Sequence, residues 1–448
     1  MTESAAQVRP ARASAFGLLR VFGVAFGVAV AIGNTIGAGI LRTPGQIAEY
    51  VPGPVWFMGI WLLGGLYALL GAVSLAELGA ALPRSGGQTV FVRRALGGYA
   101  GFAVGWSDWI STCASTALVS LVIGEYAAAL FPSLVSVETV LALMAALLFA
   151  ALHLSGARQA GRTQVFTSVA KTLAFLLLIA ACFLLRKERP PSVDVASVIP
   201  LGTGVVLALQ AVIYTYDGWT GPIYFSEEVR DPGRDIPRAM VWGVLSVIGI
   251  YVLTNLAFLY VIPVSAMAGQ PLVAARAAGE VFGPRGDQII RWLTLVSMLS
   301  AVNALTLMAP RIIYAMGNHG LPAATRRADA RGTPTVALWL STTVTVAFIA
   351  TGTVQTVIAL AAFFFVANYT LSFFSVFVLR RREPLLHRPY RAWGYPFTTG
   401  IVLVGSLAFL AAAVSADTRH ALYSMALLAL SWPVYRLLSH AGPAQKDE

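Results

Sequence analysis

The sequence predicts an all-α integral membrane protein with 12 transmembrane helices. Three observations lead there. Of 448 residues, 57% are hydrophobic and only 11% charged, whereas a soluble domain is about a quarter charged. Mean hydropathy is +0.74. Apolar runs recur along the chain with little between them, and a helix crosses a bilayer with roughly 20 apolar residues. Too few charges remain to cover a water-facing surface, which excludes a soluble enzyme.

Twelve apolar segments fall at 16–50, 54–82, 98–131, 137–154, 163–185, 199–229, 239–263, 288–316, 334–350, 353–379, 396–416 and 420–438. An even number puts both termini on one side. With the N-terminus cytoplasmic, 22 Lys and Arg residues lie in inside segments and 7 in outside ones, with Arg42 and Lys171 inside spans. Positive charge collects on the cytoplasmic side, so both termini are assigned there. The cluster Arg186, Lys187 and Arg189 runs against the trend. The net charge of +11 reflects this asymmetry and does not imply nucleic-acid binding. Arg9, Arg12 and Arg20 precede the first run. Polar Asn34 and Thr35 within it, and the lack of a small-residue cleavage site, make it a retained helix rather than a signal peptide. The outside stretch 264–285 has an apolar face (Leu272, Ala275, Val281, Phe282), as in a short amphipathic helix lying over an extracellular vestibule.

Cys113 and Cys182 sit in apolar runs, and the five histidines lack metal-ligand spacing, so no disulfide, metal or cofactor is expected. No phosphate-binding loop, dinucleotide fingerprint or nucleophile elbow occurs, which argues against an enzyme or an ATP-driven pump. The sequon at Asn368 lies inside an apolar run and is discounted.

Segments one and six are interrupted. The first holds Gly33, Gly37 and Gly39 within seven residues, followed by Pro44, which suits the first turn of a new half-helix. The sixth reads Tyr214-Thr215-Tyr216-Asp217-Gly218-Trp219-Thr220-Gly221-Pro222. Breakers at bilayer depth expose backbone polar groups, which is tolerable only where the break is buried or lines a cavity. Close packing of small residues is the alternative, and it suits Gly97, Gly101 and Gly105, spaced by four in segment three. The interruptions divide the chain into five-helix halves at 16–194 and 195–382. Helices eleven and twelve with their preceding loop (383–438) follow, and tails occupy 1–15 and 439–448. Interrupted segments in matching positions point to a midplane binding site. A half-helix starting near Ala38 would turn free N–H groups and a positive dipole end toward a carboxylate. One ending near Tyr214 would offer free carbonyls to an ammonium. Together they describe a zwitterion site.

These residues resemble a known family. Ile36-Gly37-Ala38-Gly39-Ile40 is similar to the first-helix glycine motif of the amino acid–polyamine–organocation transporter superfamily. Tyr214 to Trp219, then Ser226-Glu227-Glu228-Val229-Arg230-Asp231-Pro232 and Asp235-Ile236-Pro237-Arg238, resemble the sixth-helix signature of its L-type-like branch. Ala76-Glu77-Leu78-Gly79 with Pro83-Arg84-Ser85-Gly86-Gly87, and Asn303, Arg311 and Gly320-Leu321-Pro322, match further signatures between about Phe22 and Arg391. The resemblance implies a leucine-transporter-like fold: two inverted five-helix repeats with broken helices 1 and 6, plus two peripheral helices. It implies that Ile36, Gly37, Ala38, Gly39 and Ile40 meet a substrate carboxylate. Tyr214, Thr215 and Asp217 would face the amino group and the site wall, with Tyr214 as an outer gate. It also places Lys171 where sodium-independent members hold an amine in place of a sodium ion, bonded to the Gly37 carbonyl region and to Ser297 or Ser300. Animal members that join a heavy chain carry a cysteine between helices three and four. The loop 132–136 has none, so no heavy-chain subunit is expected, and a monomer is the family default.

Several charges lie within spans. Burial penalises a charged amine, so Lys171 suits a group that gains and loses a proton; alternatively it snorkels about 9 Å back to water. Asp217 either binds a cation or caps the half-helix starting near Pro222. Asp108, Glu125 and Glu77 read as structural hydrogen-bonding groups. Glu227 and Glu228 either close an inner gate through loop arginines or form a solvated charge run.

The combined expectation is a secondary active transporter in the cytoplasmic membrane that moves L-amino acids by alternating access, sodium-independent and coupled to protons through Lys171. The alternatives are an obligatory exchanger, a cationic amino acid or polyamine transporter, and a channel or substrate sensor on the same fold. Polyamines lack a carboxylate and would leave the Gly37–Gly39 amides unpaired.

Overall fold

Glycine and proline divide the apolar runs into sixteen α-helices among the residues described by the computed structural model, namely 17–186, 200–317, 321–351, 354–416 and 418–441. The chain runs α1 (Val24–Thr35), α2 (Gly39–Tyr50), α3 (Gly53–Ala81), α4 (Gln88–Leu96), α5 (Gly98–Leu130), α6 (Glu138–Leu154), α7 (Ala157–Leu184) and α8 (Leu201–Thr215). It continues through α9 (Pro232–Val261), α10 (Val264–Met267), α11 (Val273–Phe282), α12 (Gly286–Gly317), α13 (Thr335–Thr351), α14 (Val354–Arg382), α15 (Phe397–Ala416) and α16 (Thr418–Ala441). Gly221–Glu228 forms a 3-10 helix between α8 and α9. The tail 1–15, most of the tail 439–448, Lys187 and Arg189 of the outer cluster, and Gly320 lie outside the described residues.

Each of the twelve expected segments coincides with a helix. By length and apolarity, eight helices among the described residues can cross a membrane, or nine when α1 and α2 count as one span bent by 50°. α8, α13 and most of α16 are shorter apolar helices. The protein is therefore multi-pass and all-helical.

Three local expectations change. Residues 88–96, between the expected segments, form a further helix; α4 buries Phe91, Val92 and Ala95 and packs on α5 and α14. Gly97 does not pack. It has φ +98° with nothing within 4 Å of a notional Cβ, and it serves the turn between α4 and α5. Gly105 does pack, since a Cβ there would meet Met316 at 2.8 Å. In the stretch 264–285, the buried face of α11 is Val273, Ala274, Ala277, Ala278 and Val281, at helical spacing, while Leu272, Ala275 and Phe282 are only partly buried. This face rests on α2, α9 and α12.

Side-chain polar groups stitch the bundle where backbone groups cannot. Gln164 and Ser168 of α7 both donate to the Ala29 carbonyl of α1, at 3.1 and 2.7 Å. Ser168 lies 3.0 Å from Ser300 of α12. Asn303 donates to Gln164 Oε1 at 2.7 Å, and His153 of α6 lies 3.0 Å from Asn303 Oδ1. Glu77, fully buried on α3, accepts two hydrogen bonds from Arg380 of α14 (2.9 and 2.5 Å) and one from the Ala392 amide (2.8 Å). Arg388 Nε lies 3.2 Å from the same carboxylate. One carboxylate thus anchors α14 and the following loop to α3.

Removing one partner of a buried ion pair costs about 3–5 kcal/mol, and Arg380 keeps some contact with water, so about 3 kcal/mol is expected here. Glu77→Gln should therefore lower the melting temperature in detergent clearly, whereas Arg381→Gln, at a neighbouring exposed position, should leave it unchanged.

Candidate functional site

The site begins where α1 stops. Its last helical hydrogen bond runs from the Ile36 amide to the Ile32 carbonyl at 3.0 Å, and Ile36 then turns extended (φ −79°, ψ 94°). Ala38 is the N-cap of α2 and has no side-chain cap. The first amides of α2 have no intrahelical acceptor, as at any helix N-terminus. The new helix starts at Gly39, so Pro44 is its sixth residue and lies inside it rather than in its first turn. The break itself is where the glycines predicted it.

α8 ends at Thr215, opposite this gap. Thr215 Oγ1 lies 2.9 Å from Thr43 Oγ1 of α2. Gly218, at φ +108°, lets the chain pass close to Asn34 and Thr35, where a Cβ would lie 2.9 Å from backbone atoms. Asn34 Nδ2 donates to the Gly218 carbonyl at 3.2 Å. Together these ends enclose a cavity of about 210 Å³. Pockets for drug-sized ligands run about 300–1,000 Å³, so this one fits a smaller solute.

Gly37, Ala38, Gly39, Tyr214, Thr215 and Asp217 line the cavity. Ile36 and Ile40 do not, since both side chains are fully buried in the core. Tyr214 is 44% exposed, which places its ring at the cavity mouth. The end carbonyls of α1 and α8 are less free than the sequence suggests. The Tyr251 hydroxyl on α9 lies 2.9 Å from the Thr35 carbonyl and 3.0 Å from that of Thr215, clasping both breaks. The Val212 and Tyr214 carbonyls take the amides of Tyr216 and Asp217.

Negative charge in the cavity comes instead from two carboxylates. Asp217 accepts a hydrogen bond from the Tyr369 hydroxyl of α14. It caps nothing: Thr220 is the N-cap of the 3-10 helix, and no side chain caps it. Asp108 of α5 accepts from the Tyr224 hydroxyl at 2.8 Å, and Gln88 Nε2 approaches that hydroxyl at 3.4 Å. No Lys, Arg or His lines the cavity among the described residues. Sequence reasoning treated Asp108 as structural, although a carboxylate deep in an apolar run was signal enough to place it at the site. Tyr224, Tyr251 and Tyr369 gave no such signal. Glu125 is exposed on α5 with no bonded partner among the described residues.

Lys171 is fully buried and does not snorkel. Its Nζ donates to the carbonyls of Gly33 (2.9 Å) and Ile36 (2.5 Å), not to that of Gly37. Ser297 donates to the same Ile36 carbonyl at 2.9 Å. Ser300 bonds the Ser168 and Gln164 side chains instead. Lys171, Ser297 and Ser300 thus stand behind the break and do not line the cavity.

Glu227 and Glu228 lie beyond the other side of the cavity. Glu228 forms two 3.0 Å bonds with Arg311 of α12, with both side chains buried, so its partner is a helix arginine rather than a loop one. The Glu228 carbonyl also receives the amides of Val21 and Phe22, at 2.9 and 3.0 Å. Glu227 accepts from the Ser85 amide at 3.2 Å. These contacts join α12, the approach to α1 and the loop after α3 into one plug.

The family described as amino acid permease matches residues 16–432. The chain is 26% identical over 426 residues to the serine/threonine exchanger SteT of Bacillus subtilis (strain 168), covering 94% of this chain and 97% of that protein. It is 29% identical over 391 residues to the Asc-type amino acid transporter 1 of Mus musculus, covering 84% and 73%. With the human large neutral amino acids transporter small subunit 2 it shares 28% over 392 residues, covering 84% and 72%. The match spans nearly the whole chain, so this protein is a member of the amino acid permease family, a membrane transporter and not an enzyme.

Proposed function

We propose that the protein carries L-amino acids across the cytoplasmic membrane by alternating access through twelve spans, with both termini cytoplasmic. In this reading 16–194 and 195–382 are inverted five-helix repeats, and 383–438 adds two peripheral helices. The chain acts as a monomer, with no heavy-chain subunit. One observation carries the reading. The cavity between the broken segments presents helix-start amides at Gly37–Gly39 on one side and the carboxylates of Asp108 and Asp217 on the other. Free amides at a helix start favour an anion, and carboxylates favour a cation. An amino acid backbone supplies both.

Gly37, Ala38 and Gly39 would hold the substrate carboxylate, and Asp217 with Thr215 would face its amino group. Ile36 and Ile40 would act through their backbone only. Tyr214 would close the outer mouth, and Glu228 with Arg311, supported by Glu227, would close the inner end. The small cavity suits neutral side chains such as those named for the serine/threonine exchanger, whereas the two carboxylates favour cationic ones. A competition panel of labelled amino acids separates the two.

Coupling would run through Lys171. Among the described residues no carboxylate pairs with this amine. Either protonation state keeps enough N–H donors for the Gly33 and Ile36 carbonyls, but only the charged amine makes those bonds charge-assisted, so protonation sets how firmly the end of α1 is gripped. Ser297 shares that load directly, and Ser300 supports it through Ser168. Obligatory exchange is the second reading, favoured by the exchanger named among the relatives.

Two experiments bear on these proposals. A Cβ at Gly39 would lie 3.1 Å from Thr215 Cγ2, so Gly39→Val overfills the gap between the helix ends. Overpacking costs about 1–3 kcal/mol, and apparent affinity for labelled serine or threonine should fall by about 5- to 150-fold in a folded protein. Unchanged affinity would count against the site. In vesicles without internal amino acid, an inward proton gradient should stimulate uptake by the wild type but not by Lys171→Met. Uptake that depends only on internal amino acid, at any gradient, would establish exchange in place of symport.

A further inference from the structure

We propose that a groove on the lipid-facing side of the bundle binds an anionic phospholipid, with its phosphate held by Arg158, Arg162 and Arg230 and its acyl chains lying along α7. The groove encloses about 670 Å³ between residues 21–26 and the first turns of α7. Phe22, Phe26 and Val165 give it an apolar floor, and the three arginines stand at its edge. All three are exposed, and none of their side chains has a hydrogen bond or ion pair among the described residues. The nearby acids are taken: Asp235 and Asp231 by Arg234, at 3.0 and 3.8 Å, and Glu228 by Arg311.

Two features of this placement are unfavourable without an anion. Arg158 and Arg162 are four residues apart on one helix, so like charges face each other. They also occupy the second and sixth positions of α7, at the end of a helix where the dipole disfavours positive charge. A phosphate between them reverses both effects, and Arg230 supplies a third donor from across the groove.

The rest of the ligand is written on the same helix. One turn beyond Arg162 the exposed face becomes apolar, with Phe166 73% exposed, followed by Val169, Leu173 and Leu177 at helical spacing. Charge followed within one turn by a continuous apolar track matches a headgroup and its chains. An inorganic anion would use only the arginines. The chain's own N-terminal tail carries Arg9 and Arg12 against one acid, Glu3, and so is of the wrong net sign. The groove floor includes Gly23, the N-cap of α1, and Phe22, whose carbonyl accepts the Arg230 amide at 3.0 Å. A bound lipid would therefore brace the entry of α1 against α7. Only the choice of leaflet, the cytoplasmic one, rests on the topology proposed above.

Binding is measured apart from transport. The full-length protein in neutral detergent is titrated with phosphatidylglycerol or with phosphatidylcholine of the same chains, and retained lipid is counted by native mass spectrometry. Phosphatidylglycerol should be retained preferentially, and less so as salt rises. Arg158→Gln, Arg162→Gln and Arg230→Gln should each weaken its retention by about fivefold. The triple lysine variant should keep most of the preference, and Arg381→Gln should keep all of it. Equal retention of the two lipids by the wild type would overturn the proposal. So would an undiminished preference in the glutamine variants, with the single substitutions deciding if the triple fails to fold. Complete displacement by an equal concentration of glycerol 3-phosphate would remove the acyl track and overturn it as well.

Discussion

A peptide group inside a membrane cannot turn to water, so every helix end placed there must find a partner in the protein. The break between α1 and α2 creates such ends, and the structure meets them unequally. On the carbonyl side, Gly33 and Ile36 are held by Lys171, Ile36 again by Ser297, and Thr35 by Tyr251. The amide side is left to the cavity, because Ala38 caps nothing and α2 starts without a side-chain acceptor. Unsatisfied donors at this depth cost several kcal/mol each. In the proposed reading an arriving substrate carboxylate would recover that cost, making binding and the relief of the break one event.

The same asymmetry bears on the acids in the cavity. With carbonyls of the α1 end already bonded, a substrate ammonium in the proposed reading would look elsewhere for charge, and Asp108 and Asp217 line the cavity from α5 and from the turn after α8. Each carboxylate is held by a tyrosine hydroxyl, Tyr224 and Tyr369 respectively. Tyrosine can donate one hydrogen bond and still leave the second carboxylate oxygen free. The tyrosines thus orient the acids. Tyr251 does the equivalent for the backbone, bridging the two breaks from a third helix.

What the sequence made legible follows from the range of each signal. Apolar runs and clustered glycines act locally, so the apolar segments and the interruption at Gly37–Gly39 could be read residue by residue. Pro44 misled because proline marks a helix start only on average; here the helix had already begun at Gly39. Lys171 stood out as a charge within a span, and Glu228 as either a gate or a solvated charge, but neither burial nor partners could be read. Arg311 is 83 residues from Glu228, and Gly33 is 138 from Lys171, and nothing local encodes such pairings. Hydroxyl groups were hardest. A tyrosine in an apolar helix looks the same whether it packs in the core or clasps two helix ends, as Tyr251 does.

At the opposite end of the cavity lies the buried pair of Glu228 and Arg311. Two desolvated charges are a poor source of stability, because their attraction barely repays the loss of water. In the proposed reading they would make a good latch for the same reason. Bonded together they are tolerated, but parted within the bundle each would be strongly unfavourable, so they separate only when water reaches both. The Glu228 backbone also holds Val21 and Phe22, which lead into α1. Opening the latch would therefore free the approach to the very helix whose far end Lys171 grips. A change at that grip and the admission of water at the latch would act on one short rod, twelve residues long, between them. That short α1 gives the two ends of the cavity a mechanical reason to respond to each other.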